Sequence, residues 1–148
     1  MNIKDIMTAE PACAARDEDL RRIAVMMVEH DCGEIPICDG DRKPIGVVTD
    51  RDITCRLVAK GKNPLESRAE DCMSSPTITT TCDMPVEDCA RLMEQYQVRR
   101  LPVVDERGVC WGIVSQADLA RKGPRETTIE VVEKVSEPNA FASSVGGR

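Results

Sequence analysis

A chain of 148 residues with a formal net charge of −6, 41% apolar residues and only 2% aromatics must build its core from aliphatic side chains, and it is long enough for one globular unit. The acidic balance excludes a phosphate backbone as principal partner, and Tyr96, Trp111 and Phe141 are too few to stack single-stranded bases. No basic flank precedes an apolar run at the N-terminus, and the longest such run, Ile23 to Val28, falls far short of the ~20 residues of a membrane span; a cytoplasmic protein without membrane or nucleic-acid partners is expected.

Residues 2 to 7 read as a short amphipathic lead-in with Ile3, Ile6 and Met7 available for packing, and Pro11 to Ala14 reads as a first strand. Asp17 then caps a helix whose apolar positions 20, 23, 24, 27 and 28 follow the one-faced helical stripe, ending between His30 and Gly33. Ile35 to Asp39 and Ile45 to Thr49 are strands joined closely enough to pair antiparallel, with Pro36 near the start of the first. The strand at 11 to 14 and the one at 35, separated by a helix, should run parallel. A helix from Asp50 to Lys60 stops at Gly61, and residues 61 to 69 form a linker.

The second half repeats this order. A lead-in at 69 to 73, a strand near Thr77 to Thr80, a helix from Pro85 to Gln97, strands at 100 to 105 and 109 to 115 and a helix to Lys122 follow one another. Residues 126 to 136 form one more short helix, and the Ser/Gly-rich stretch from 137 to 148 reads as disordered. The boundaries are therefore 1–66 and 67–123 for the two repeats and 124–148 for a C-terminal helix and tail.

Gly46-Val47-Val48-Thr49-Asp50-Arg51-Asp52 and Gly112-Ile113-Val114-Ser115-Gln116-Ala117-Asp118 stand 66 residues apart, and the same offset relates Ile35-Pro36-Ile37-Cys38-Asp39 to Leu101-Pro102-Val103-Val104-Asp105. Each of the first pair is strand, sharp turn and helix start. Thr49 and Ser115 fall where a helix is capped, and Asp52 and Asp118 lie in its first turn. The spacing is that of a capping box; it also presents a hydroxyl, free N–H groups and a carboxylate to one point, which suits a phosphate joined to a ribose. Duplication in register favours the second reading and makes the chain two halves packed on each other.

This repeat of Asp-x-Met lead-in, helix, Leu-Pro-Val-Val-Asp strand and Gly-Ile-Val-Ser-x-x-Asp resembles the cystathionine-β-synthase (CBS) domain, present as a tandem pair over about residues 3 to 122. Thr-Asp-Arg-Asp-Ile, the Pro-Ile-Cys strand and Val-Arg-Arg-Leu-Pro-Val are similar to small stand-alone CBS-pair proteins, including the mycobacterial hypoxia-response type. The resemblance implies a mixed α/β fold of two β-α-β-β-α units related by a pseudo-two-fold, two clefts between them, and a homodimer. It further implies no catalysis and no required cofactor, but an adenosine ligand such as AMP, ADP, ATP or S-adenosylmethionine. In that case Thr49 and Ser115 would hold phosphate oxygens, Asp52 and Asp118 ribose hydroxyls, and Ala12, Thr77, Ile35 and Leu101 would border the adenine. Arg51 would neutralise phosphate, whereas its counterpart is Ala117; Arg99 and Arg100 likewise replace Gly33 and Glu34.

Eight cysteines without a Cys-x-x-Cys pair read mostly as small buried apolar groups. Cys13 and Cys38 fall on strands expected to be neighbours, so a disulfide between them is conceivable, against two buried thiols. His30, Cys32 and Cys38 lack the ligand number and spacing of structural zinc, so no metal site is read. The function expected is a nucleotide-responsive regulatory module with stress-response character, acting on a separate effector protein. The alternative is a ligand-free, redox-responsive interaction protein that uses its thiols. Trp111, one residue before Gly112, is expected to sense the second cleft.

Overall fold

The computed structural model describes residues 1–75 and 77–138. Its organising feature is an exchange. The lead-in makes a single 3-10 turn over Ile3–Asp5, and its buried Ile3 and Ile6 pack among Val86, Met93, Leu101, Val114 and Leu119 of the second repeat. The backbone follows the side chains: Ile3 N–H donates to Met84 O at 3.0 Å, Lys4 N–H to Cys82 O at 3.0 Å, and Val86 N–H to Met1 O at 3.1 Å.

The second lead-in, a 3-10 turn over Ala69–Asp71, does the same for the first repeat. Ala69 and Cys72 join the core built on Leu20, Ile23, Ile35, Ile37 and Val48. Ala69 N–H donates to Glu18 O at 3.0 Å, Glu70 N–H to Arg16 O at 2.9 Å, and Leu20 N–H to Ser67 O at 3.0 Å. Every one of these bonds is the 66-residue image of one in the other repeat.

Two sheets carry the cores. The first repeat holds β2 (Glu34–Cys38) and β3 (Pro44–Thr49), antiparallel with Ile35 opposite Val48. The second is four-stranded in the order β1-β6-β5-β4, with β1 at Thr8–Ala9, β4 at Thr80–Thr81, β5 at Arg100–Val104 and β6 at Cys110–Ser115. Strand β1 pairs antiparallel with β6, Thr8 opposite Ile113, so a residue pair from the first lead-in edges the second sheet. Its image is the single bridge between Val47 and Ser74.

The strand expected at Pro11 to Ala14 is reduced to one parallel bridge, Ala14 to Ile37. Pro11 has no N–H to give, and Glu10 sits at φ 52°, so the chain bends before pairing can extend. Helix α1 covers Leu20–Glu29 and begins after Asp19, not Asp17. It buries Leu20, Ile23, Met26 and Met27, whereas Val28 is 82% exposed; the stripe leans towards position 26, and Val25 and Val28 face outward. Helix α2 (Asp50–Arg56) continues as a 3-10 turn at Val58–Lys60 and ends at Gly61, φ 73°. Helices α3 (Val86–Tyr96), α4 (Gln116–Lys122) and α5 (Arg125–Val135) complete the second repeat, with Val131 and Val135 of α5 in its core. Among the described residues no helix is long and apolar enough to cross a membrane, and the tail from 139 onward lies outside them.

The exchange imposes a glycine on each receiving strand. A Cβ on Gly112 would stand 2.7 Å from Thr8 O, and one on Gly46 2.6 Å from Ser74 O. Gly112→Ala should therefore lower unfolding free energy by about 1–3 kcal/mol in urea denaturation. Gly40→Ala, with nothing within 4 Å, should stay within about 0.5 kcal/mol of the parent.

Candidate functional site

Helices α2 and α4 each start at the residue after a strand, and their first turns are built alike. Thr49 Oγ1 accepts from Asp52 N–H at 3.0 Å while Thr49 N–H donates to Asp52 Oδ2 at 3.0 Å. Ser115 Oγ accepts from Asp118 N–H at 3.1 Å, Ser115 N–H donates to Asp118 Oδ2 at 2.9 Å, and the Ser115 hydroxyl adds a 2.9 Å bond to the same oxygen. Both motifs are thus complete capping boxes.

The second carboxylate oxygen of each aspartate is left over. Asp118 Oδ1 is 3.1 Å from Arg121 Nη2, and the Asp118 side chain is 4% exposed against 68% for Arg121. Asp52 Oδ1 lies 3.6 Å from Arg56 Nε and 3.5 Å from Ser74 Oγ. A buried carboxylate facing a solvated guanidinium is a hydrogen-bond acceptor that can change partners.

Ser115 and Asp118 open on a cavity of about 460 Å³ between the repeats, within the ~300–1,000 Å³ typical of small-molecule sites. Ala12, Ile35 and Pro36 form an apolar wall with Ala117 beside it, and the guanidinium groups of Arg100 and Arg121 stand among the carboxylates of Glu10, Asp31, Glu34 and Asp118. Four of the expected site residues, Ala12, Ile35, Ser115 and Asp118, are therefore brought together here. Thr49, Arg51, Asp52, Leu101 and Thr77 do not line this cavity. Leu101 is buried in the second core, Thr77 is half-buried, and Arg51 is exposed on α2. Trp111 is 57% exposed and borders a different depression with Cys82 and Arg107, so it does not face the Ser115 cleft.

Sequence reasoning missed Arg121 and Glu34 as cleft residues. Arg121 falls three residues after Asp118, a spacing that puts both on one helix face, and this was the available signal. Burial raises the Glu34 carboxyl to about 7, the Arg100 guanidinium pulling it down and the Asp52 and Asp50 carboxylates pushing it up. Arg100 is the repeat image of Glu34, so the charge exchange seen in the sequence lies in the cleft itself.

The structure brings Cys13 and Cys38 together as the strand order predicts, leaves both as free thiols, and adds Cys110, which the sequence did not join to them. His30 and Cys32 line the cavity, whereas Cys38 turns away to meet Cys13 and Cys110, the three sulfur atoms lying within 4.8 Å of one another. All eight cysteines are free. The neighbouring Cys110 and Cys38 thiols, together with the Arg42 guanidinium, hold Cys13 far below the usual thiol range despite burial. The Cys110 and Cys13 contacts and burial push Cys38 upward, and the Cys13 contact and burial push Cys110 up to about 12 against the lowering effect of Cys38.

Unfolded, Glu34 titrates near its ordinary 4.5; folded, near 7. Between these values the folded state binds more protons, so stability falls as pH rises through the window. A tenfold difference in proton affinity between the two states is worth about 1.4 kcal/mol. Discounted for solvent access, wild type should lose about 1–3 kcal/mol more than Glu34→Gln between about pH 4.5 and 7.5 in urea titrations.

The sequence pattern of the CBS domain matches residues 3–59 and 69–125. Hypoxic response protein 1 of Mycobacterium tuberculosis is 35% identical over 140 residues, spanning 95% of this chain and 97% of its own. The CBS domain-containing protein YhcV of Bacillus subtilis is 36% identical over 120 residues, 80% of this chain and 83% of its own. Among solved structures, Hypoxic Response Protein I with two coordinated zinc ions superimposes with a TM-score of 0.75 at 35% identity, covering 84% of this chain and all of that one. The CBS domain pair of protein MJ0100, in complex with 5′-methylthioadenosine and S-adenosyl-L-methionine, gives a TM-score of 0.74 at 30% identity over 82% of this chain and 94% of its own.

Proposed function

Because this chain belongs to the CBS domain family and carries the domain as a tandem pair, we propose that it is a regulatory, non-catalytic module that binds an adenosine nucleotide in the cleft of Ser115 and Asp118. The observation that carries this reading is the convergence of Ala12, Ile35, Ser115 and Asp118, with Arg100 and Arg121, on one cavity. That the MJ0100 pair binds adenosine derivatives supports it.

The apolar wall of Ala12, Ile35 and Pro36 accepts a flat base. Asp118 Oδ1 takes the ribose hydroxyls in place of Arg121, and the released guanidinium turns to the phosphate alongside Arg100. Ser115 keeps its cap and offers its hydroxyl to a phosphate oxygen. Ligand binding thus exchanges an internal ion pair for two ligand contacts and draws the repeats together, and the difference in affinity between the two packings is the signal. Thr49, Asp52, Thr77 and Leu101 form the pseudo-symmetric counterpart, with Arg51 at its edge.

Val28 of α1 lines a shallow depression with Ala24, Met27 and Ile53, rimmed by Asp31, Asp50 and Arg100, and with exposed Val25 on the same helix this face supports a homodimer that reads the signal out to an effector protein. A second reading, a stress-responsive interaction protein with thiol input, is favoured by the contact of Cys13, Cys38 and Cys110. In it, a peroxide-type oxidant removes two electrons and two protons to join Cys13 to Cys38.

Calorimetric titration of reduced protein with AMP, ADP, ATP and S-adenosylmethionine decides between them. Asp118→Ala should weaken the bound ligand by tenfold or more, given about 1.5–3 kcal/mol for a hydrogen bond to a charged group; equal affinity removes Asp118 from the site. Arg121→Ala should weaken AMP or ATP by about fivefold or more and leave S-adenosylmethionine, which has no phosphate, within about twofold, a factor of ten corresponding to about 1.4 kcal/mol. No binding of any of the four leaves both motifs as helix caps.

A further inference from the structure

Three sulfur atoms meet where the two repeats touch, beside the nucleotide cleft but outside it. Cys13 follows Ala12 of the cavity wall, Cys38 ends β2, and Cys110 opens β6. The first two belong to one repeat and the third to the other. Their sulfur atoms all lie within 4.8 Å of one another, with Cys38 and Cys110 buried and Cys13 half-buried. The repeat images of Cys38 and Cys110 are Val104 and Pro44, so aliphatic side chains suffice at this layer and packing alone does not call for sulfur.

We infer that Cys13, Cys38 and Cys110 form a site for a thiophilic d10 metal ion, copper(I) or zinc(II), held by three thiolates across the junction of the repeats.

The geometry is close to what such an ion needs. With metal–sulfur bonds of about 2.3 Å, three sulfurs around one ion stand roughly 3.8–4.0 Å apart, so the trio closes by no more than about an ångström per pair, within what side-chain rotation supplies. Soft sulfur ligands select copper(I) and zinc over hard cations. Among the described residues no fourth His, Cys, Asp or Glu joins the group; copper(I) is satisfied by three thiolates, and zinc would complete its four with water. The ion enters as a cation and the three thiol protons leave to solvent, so no electron is transferred. Three thiolates leave a charge of −2 with copper(I) and −1 with zinc, which Arg42 is placed to offset: its carbonyl accepts from Cys110 N–H at 2.9 Å, and its guanidinium acts on Cys13. The ion ties the 39–43 turn and the Ala12 wall of the cleft to β6, a staple between halves otherwise joined by exchanged lead-ins.

The test is anaerobic titration of the full chain, kept reduced by a phosphine, with copper(I) and with zinc(II) separately, each in competition with a chromophoric chelator. One ion per chain is expected for at least one metal. Loading should slow iodoacetamide alkylation of Cys13 by tenfold or more while exposed Cys55 reacts as before, and this readout needs no variant to fold. Cys110→Ser should weaken the ion at least tenfold, and Cys55→Ser should leave it unchanged. Retention of neither metal, an unchanged Cys13 rate in loaded protein, or a folded Cys110→Ser variant that binds like the parent would overturn the assignment. The nucleotide titrations above read a different site, so either result can fail without the other.

Discussion

Neither repeat closes its own core: each receives from the other a short apolar lead-in, and a glycine on the receiving strand leaves room for it. Burying Ile3 and Ile6 contributes about 1.5–3 kcal/mol each by removal from water, and the paired backbone bonds fix the segments in register. The same contact sets the separation of the repeats, because Thr8 O and Ser74 O approach Gly112 and Gly46 more closely than any side chain allows. The cleft is the space left over. Its walls come from one repeat at Ala12 and Ile35 and from the other at Ser115 and Asp118, so its width is inherited from the exchange.

Within that space the two oxygens of each motif aspartate have different partners. One oxygen of Asp118 closes the α4 cap, and the other faces Arg121. The cap is complete on its own and keeps the helix start preorganised, so the nucleotide proposed above need only displace a solvated guanidinium. The cost of ordering is thereby low on the protein side. Glu34 adds an opposing element: burial holds its carboxyl up at about 7 in the same cavity, and the phosphate of the proposed ligand would make its charged form less favourable still.

Much of this is legible in the chain. The capping spacing of Thr49 with Asp52 and Ser115 with Asp118 is purely local, and the antiparallel pairs at 34–49 and 100–115 follow from short turns. The exchange is not legible, because Ile3-Lys4-Asp5-Ile6 gives the same apolar signal whichever core receives it. The apolar stripe at 20 to 28 departs from the buried set at 24 and 28, since periodicity fixes a helix but not the direction from which its partner sheet arrives. Glu34 and Arg121 become cleft residues only once the repeats are docked. Cys13, Cys38 and Cys110 are separated by 25 and 72 positions, and no spacing rule joins them; the contact is a product of topology.

The exchanged lead-ins also bear on how the chain is made. Translation delivers residues 1 to 9 more than a hundred residues before Val114, Leu119 and Val131 of the surface that buries Ile3 and Ile6. At about 5–20 residues per second, the opening segment waits many seconds for its seat, and the first repeat waits for Ala69 and Cys72. A nascent chain halted in the linker would therefore present one unfilled groove and one unburied apolar hook. Every copy of the chain carries the same groove and hook, so the exchange that closes one molecule is also the contact through which two copies would swap lead-ins.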